Sequence, residues 1–170
     1  MMRFPHRIAA LLACVLGTAA SAQEVRAPRN ALYVEMLGPA VLGSVNYERM
    51  AGDRVSLRVG LGGIPEIFEV STTLSAPVLV NLFIGSGEHR LETGAGIVAV
   101  YVLPHSDSGA WERVSEPGFR RTELTGTLVY RWQPGAGSLF PGGVFRAGFT
   151  PVVRGETVYP RFGFSVGAAF

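Results

Sequence analysis

Residues 159–170 read YPRFGFSVGAAF and constrain the fold more than any other stretch. Phe162, Phe164, Val166, Ala168 and Phe170 fall on one side of a strict period of two. Arg161, Gly163, Ser165, Gly167 and Ala169 fall on the other. That period belongs to a β-strand whose two faces meet different surroundings. One face is apolar and aromatic, and the other is small or polar with a single arginine. A soluble sandwich strand rarely runs in this way to a final Phe, so the question is whether the rest of the chain repeats the pattern.

It does. Turn signals divide the chain into eight candidate strands, at 30–37, 42–50, 55–62, 76–84, 89–102, 120–133, 142–153 and 159–170. None has a helical period, and most reach the ~9–11 residues that a tilted transmembrane strand needs. The links at 51–53 and 85–88 are tight, whereas 63–75 and 103–119 are long. Short turns on one side and long loops on the other are the habit of outer-membrane barrels. With both termini in the periplasm, the links after strands two, four and six should be short. The link 134–141 is longer than that rule expects, and 38–41 and 154–158 are shorter.

The first 22 residues read as a cleaved signal peptide. Arg3, His6 and Arg7 precede an apolar run, residues 8–16, and Ala20-Ser21-Ala22 supplies an A-x-A end. The run is too short to span a bilayer as a helix. Leu11-Leu12-Ala13-Cys14 is loosely similar to a lipoprotein cleavage box, which leaves lipidation at Cys14 as the other processing route. The domain division is therefore 1–22 leader and 23–170 barrel. All 15 basic residues are arginine, and two leave with the leader, so 13 arginines face 13 acids. The pI of about 9.0 is thus mostly a leader effect and offers no support for nucleic-acid binding. Charged residues make up only 16%, and no mature segment is a helical span. Apolar composition without such a span leaves a closed barrel as the way into a membrane.

Alternation assigns two faces. The apolar set includes Leu32, Val34, Val45, Tyr47, Leu57, Val59, Val78, Val80, Leu91, Ile97, Leu124, Leu128, Tyr130, Trp132, Phe145 and Phe149. The opposite face carries Glu35, Glu48, Arg58, Arg90, Glu92, Arg121, Glu123, Arg131, Arg146 and Arg161, with several serines, threonines, asparagines and glycines. A soluble lipocalin-like barrel would turn the apolar face inward around a ligand. A membrane barrel does the reverse. The glycine-rich polar face fits an eight-stranded interior only just wide enough for side chains. Aromatic residues near both strand ends fit two headgroup belts. The ten charges are therefore expected to form an interior polar network that plugs the barrel, the alternative being an ion-conducting lumen.

The opening pair NALYVEML and VLGSVNYERM, with the terminal RFGFSVGAAF, resembles the small eight-stranded bacterial outer-membrane barrels of the type of outer-membrane proteins A and X. It looks most like their single-domain members without an assigned activity. The resemblance implies an all-β, eight-stranded antiparallel up-and-down transmembrane barrel, porin-like and resident in the outer membrane. It also implies that Phe170, Ala168 and Phe164 form the signal read by the barrel-assembly machinery. Ser165 stands where that signal would place glycine.

Chemistry is sparse. His89 follows a tight turn and reads as a solvated neighbour of it. His105, Ser106 and Asp107 are adjacent in a long link, and adjacent loop residues rarely converge on one reacting atom. No metal-ligand set or phosphate-binding glycine loop is present, so no cofactor is expected. The expected role is non-enzymatic, structural or in surface interaction, with membrane lipid as neighbour. An unknown extracellular or envelope partner would bind through loop residues such as Phe68 and Trp111. The enzymatic alternative is a lipid A-modifying hydrolase or acyltransferase.

Overall fold

The computed structural model describes residues 28–64, 73–103 and 118–170. The leader, Phe68, Trp111 and the His105-Ser106-Asp107 trio lie outside them. Ten strand segments form one antiparallel sheet: β1 (Asn30–Met36), β2 (Gly43–Met50), β3 (Val55–Ile64), β4 (Thr73–Ile84), β5 (His89–Val102), β6 (Gly118–Trp132), β7 (Gly143–Phe149), β8 (Val152–Arg154), β9 (Thr157–Tyr159) and β10 (Phe162–Ala169). Each strand from β1 to β6 pairs with the next, β7 pairs with β10, and β10 returns to β1. The sheet closes on itself.

The ten segments are eight barrel strands. The register that pairs Phe149 with Phe162 continues unshifted to pair Val152 with Tyr159. The register between Leu128 and Phe149 likewise continues to Leu124 and Val153. Only the ladder is interrupted, at Pro151 and Pro160, because proline has no N–H to give it. Thr150 N–H still donates to Arg161 O at 2.8 Å across this gap. A further irregularity lies between β5 and β6, where Val100 pairs with Arg121 but Tyr101 pairs with Phe119. Arg120 is the extra residue, and such bulges sit characteristically at barrel rims.

Closure is sealed by β10. It pairs with β1 from Ala31–Ala169 to Met36–Phe164. The final rung exchanges two bonds, Asn30 N–H to Phe170 O at 3.0 Å and Phe170 N–H to Asn30 O at 2.8 Å. Both described chain ends therefore lie at one end of the barrel, called here the terminal end. The links 51–54, 85–88 and 133–142 share that end. The longer 133–142 link folds on itself through Gly142 N–H to Pro134 O and Gly143 N–H to Phe140 O.

Polarity is inverted relative to a soluble domain. Arg58, Glu92, Glu48 and Glu35 are buried, with Arg58 at 0% exposure, while Leu124 stands 61% exposed. The apolar set read from the alternation covers the outside, from Val34 and Val45 round to Phe164 and Val166. The interior is not wholly polar. Tyr33, Leu79, Phe83, Val98, Val129 and Val144 are buried within it. Strands β4 to β6 are apolar on both faces in places, so alternation alone did not assign these positions.

The lumen is narrow. A Cβ added to Gly60 would meet Asn46 Oδ1, and one added to Gly163 would come within 3.2 Å of Gly38 Cα. At the distal end the 37–42 turn folds inward, and Gly38, Pro39 and Ala40 are buried. The turn is strained: Leu37 and Val41 have φ of 60° and 72°. A β-branched residue at positive φ is a backbone outlier. Val41→Gly should relieve it and stabilise the barrel by about 1 kcal/mol, after allowing for the greater freedom of glycine in the unfolded chain. Urea unfolding midpoints of the two proteins check this, and a lower midpoint in the variant refutes the strain.

Candidate functional site

The inner faces of six strands bring three arginines and three glutamates together as an alternating chain. Glu35 comes from β1, Glu48 from β2, Arg58 from β3, Glu92 from β5, Arg131 from β6 and Arg146 from β7. Arg58 pairs with Glu35, and Glu35 Oε1 lies 3.5 Å from Arg146 Nη1. Arg146 grips Glu92 with two bonds, Nη2 to Oε1 at 2.5 Å and Nε to Oε2 at 2.9 Å. Glu92 Oε2 is 3.5 Å from Arg131 Nη1, and Arg131 pairs with Glu48. The order is Arg58, Glu35, Arg146, Glu92, Arg131, Glu48. Its net charge is zero.

The chain explains an arrangement that would otherwise be unfavourable. Arg131 and Arg146 are directly opposite each other on β6 and β7, and like charges in such positions repel. Glu92, reaching over from β5, contacts both. Burial of ions is repaid only when remaining donors and acceptors are also filled. Ser56 Oγ donates to Glu48 at 2.6 Å, Arg58 Nε donates to Asn46 Oδ1 at 2.9 Å, and Arg146 Nη1 donates to Ser165 Oγ at 3.1 Å, while Arg58 Nη1 and Arg131 Nε have no partner among the described residues.

Aromatic rings fill the spaces between the charges. Arg146 and Arg58 lie 4.6 and 5.6 Å from the Tyr33 ring centroid, and Arg131 lies 5.1 Å from that of Phe83. These cation–π platforms were not legible in the sequence. The signal that finds them is an aromatic on the otherwise polar face: Tyr33 shares its face with Glu35, and Phe83 shares its face with Asn81.

Four of the ten expected charges stand outside this chain. Glu123 is buried at the distal rim, where its Oε1 accepts from Arg121 Nε at 2.5 Å and from Arg154 Nε at 2.6 Å. The Arg121 and Arg154 side chains are 43% and 42% exposed. Arg161 donates to Pro39 O at 3.0 Å, tying the inward turn to the opposite wall. Arg90 sits at the terminal mouth and donates from Nε to Gly87 O at 3.0 Å. The expectation of one interior set thus becomes a six-membered central chain with separate groups at the two rims. Arginine is long enough to leave the lumen near strand ends, and period two cannot report depth.

His89 is more engaged than its turn position suggested. Its Nδ1 is 2.5 Å from Tyr130 Oη, and its ring stacks on Tyr130 and Trp132. Trp132 in turn stacks on Phe145 at 5.0 Å. These outward-facing rings form a belt near the terminal end. Tyr101 with Phe119 and Phe149 with Phe162 make a second group near the distal end. Among the described residues no group of three His, Cys, Asp or Glu side chains is placed to hold a metal ion.

A closed antiparallel barrel of eight strands, apolar and belted outside and polar within, is the architecture of the outer-membrane type. The N-terminal β-barrel domain of Pseudomonas aeruginosa OprF has a similar fold, with a TM-score of 0.58 and 16% sequence identity over 85% of this chain and 100% of that one. At that identity the likeness is one of fold. Neither a known protein family nor a curated protein matches the sequence.

Proposed function

We propose that the protein is an integral outer-membrane barrel whose interior is a closed polar plug, with a structural or surface-interaction role and no catalytic site. The observation that carries this reading is the neutral Arg–Glu chain across a lumen whose apolar surface faces outward. A lipocalin-like barrel needs the reverse polarity, because its ligand requires an apolar interior. The terminal end, with the short turns, would face the periplasm. The distal loops, including Phe68 and Trp111, would meet any extracellular partner.

The plug reading is supported by the charge chain and by the inward 37–42 turn, which put paired side chains and backbone into the lumen. The test is migration of the membrane-extracted protein on gels with and without boiling, paired with planar-bilayer recording. A heat-dependent shift with no steady conductance supports it. A water-soluble protein without a shift, or an open-channel current, refutes one half of it each.

Phe170, Ala168 and Phe164 would serve as the assembly signal, with Phe170 contributing both the last rung of the seam and a ring on the outer surface. Deleting Phe170 should lower the fraction assembled in the membrane of cells while the protein refolded in detergent keeps its heat shift. Normal assembly of the deleted chain would sink this role.

A further inference from the structure

A closed barrel has no strand edges, yet this one keeps a short open edge at its distal rim. Strand β9 pairs with β8 and, among the described residues, with no strand on its other side. Closure would place β1 there, but the β1–β10 ladder stops at Met36 and Phe164. Beyond that rung the chain turns into the lumen, where Arg161 Nη1 donates to Pro39 O at 3.0 Å. The turn that enters the lumen is thus the one that uncovers β9.

The phase of the ladder says which backbone groups face the open side. Thr150 N–H donates to Arg161 O, so the bonded rungs towards β7 and β8 are 150–161, 152–159 and 154–157. The N–H and C=O of Val158 and Phe162, with the C=O of Pro160, therefore point the other way. Neither ladder supplies them with a partner there. Val158 is 58% exposed and Phe162 is 70% exposed. Phe162 belongs to the distal aromatic group with Phe149, so Thr157–Tyr159 lie beyond the apolar band, within reach of water.

The two sides of the edge differ. Val158, Pro160 and Phe162 share the outer face, while Tyr159 and Arg161 share the inner one. Arg154 lies over the Tyr159 ring, 5.1 Å from its centroid. Glu123 serves both Arg121 and Arg154. Arg161 is tied, among the described residues, to a backbone carbonyl and not to a carboxylate.

We propose that the β9 edge is a docking site for an extended peptide of alternating apolar and acidic residues, added antiparallel along residues 158–162. Its backbone exchanges bonds with Val158 and Phe162, as in strand addition to a sheet edge. Its apolar side chains lie beside Val158 and Phe162, and its carboxylates lie on the inner side with Arg161. A second copy fits less well. Copies inserted in one direction present β9 running the same way, whereas antiparallel pairing needs opposite directions. This inference deepens the surface-interaction role proposed above by naming a class of partner, and the edge itself depends only on the barrel fold.

The test uses the full mature barrel folded in detergent micelles, with backbone amide resonances followed during titration with a capped peptide alternating valine and glutamate. The same peptide with lysine for glutamate, and a fully N-methylated form, are the comparisons. Saturating shifts at Val158 and Phe162 are expected with the valine–glutamate peptide, weaker binding with lysine and none with the N-methylated form. Val158→Pro removes the outward N–H without touching a barrel bond and should weaken binding about tenfold. Val158→Thr keeps that N–H and should bind as the parent does. Heat-shifted migration of each variant establishes that it is folded, which tells a failed barrel from a failed edge. No saturating shift, equal binding of the lysine or N-methylated peptide, or unaltered affinity in folded Val158→Pro overturns the site. So does the appearance of the same shifts on concentrating the protein alone, which would place a second copy at the edge.

Discussion

Arg146→Leu is expected to destabilise the folded barrel by about 3–5 kcal/mol, the usual consequence of removing one partner from a buried ion pair. Arg146 is the member of the central chain with the most contacts. It holds Glu92 with two bonds, lies against Glu35, donates to Ser165 and stacks over Tyr33. Leucine there would leave Glu92, among the described residues, with only the more distant Arg131 at 3.5 Å. Replacing Glu92 by leucine in the same chain should recover most of the loss, since an apolar pair of similar volume is often as stable as the ions it replaces. Urea unfolding in lipid vesicles, followed by tryptophan fluorescence and gel shift, measures both. A single variant within 1 kcal/mol of the parent would mean that water, not Arg146, satisfies Glu92.

Val80→Arg should cost about 2–4 kcal/mol in a bilayer, as arginine does near the midplane of a membrane barrel. Val80 is 56% exposed and pairs with Leu57 on one side and Ala95 on the other. On β5, Ala95 lies between Leu91, beside Tyr130 of the terminal belt, and Tyr101 of the distal group. The position is therefore close to the middle of the apolar band. On a soluble barrel the same change is a surface substitution worth within about 0.5 kcal/mol. Leu139→Arg is the matched control, because Leu139 is 93% exposed on the 133–142 link outside that band. Equal effects at the two positions would remove the lipid-facing assignment of the outer surface. The comparison separates lipid from water without depending on cellular localisation.

Much of the barrel was legible because one physical rule, the alternation of side chains across a strand, operates at every position. Residues 159–170 showed it most clearly, and Glu35, Glu48, Arg58 and Glu92 could be grouped on one face before any contact was visible. The eight strands survived the interruptions at Pro151 and Pro160 because a lost N–H breaks a ladder without shifting its register. Where alternation is weak the reading failed. Leu79, Phe83, Val98 and Val129 are apolar residues on the inner face, and nothing in their immediate neighbours distinguishes them from the outer set.

Strand count, the two faces, the tight links and the chemistry available to the interior were all readable along the chain. Those features depend on residues close together in sequence. Partnership was decided only by closure. Glu48 sits beside Arg58 in the β2–β3 register but bonds to Arg131 across the lumen, while Arg58 bonds to Glu35. Depth, too, was a tertiary matter, separating Arg90, Arg121 and Arg161 from the central chain. A barrel brings together side chains from strands far apart in sequence, and which arginine reaches which glutamate depends on stagger and curvature that no period of two encodes.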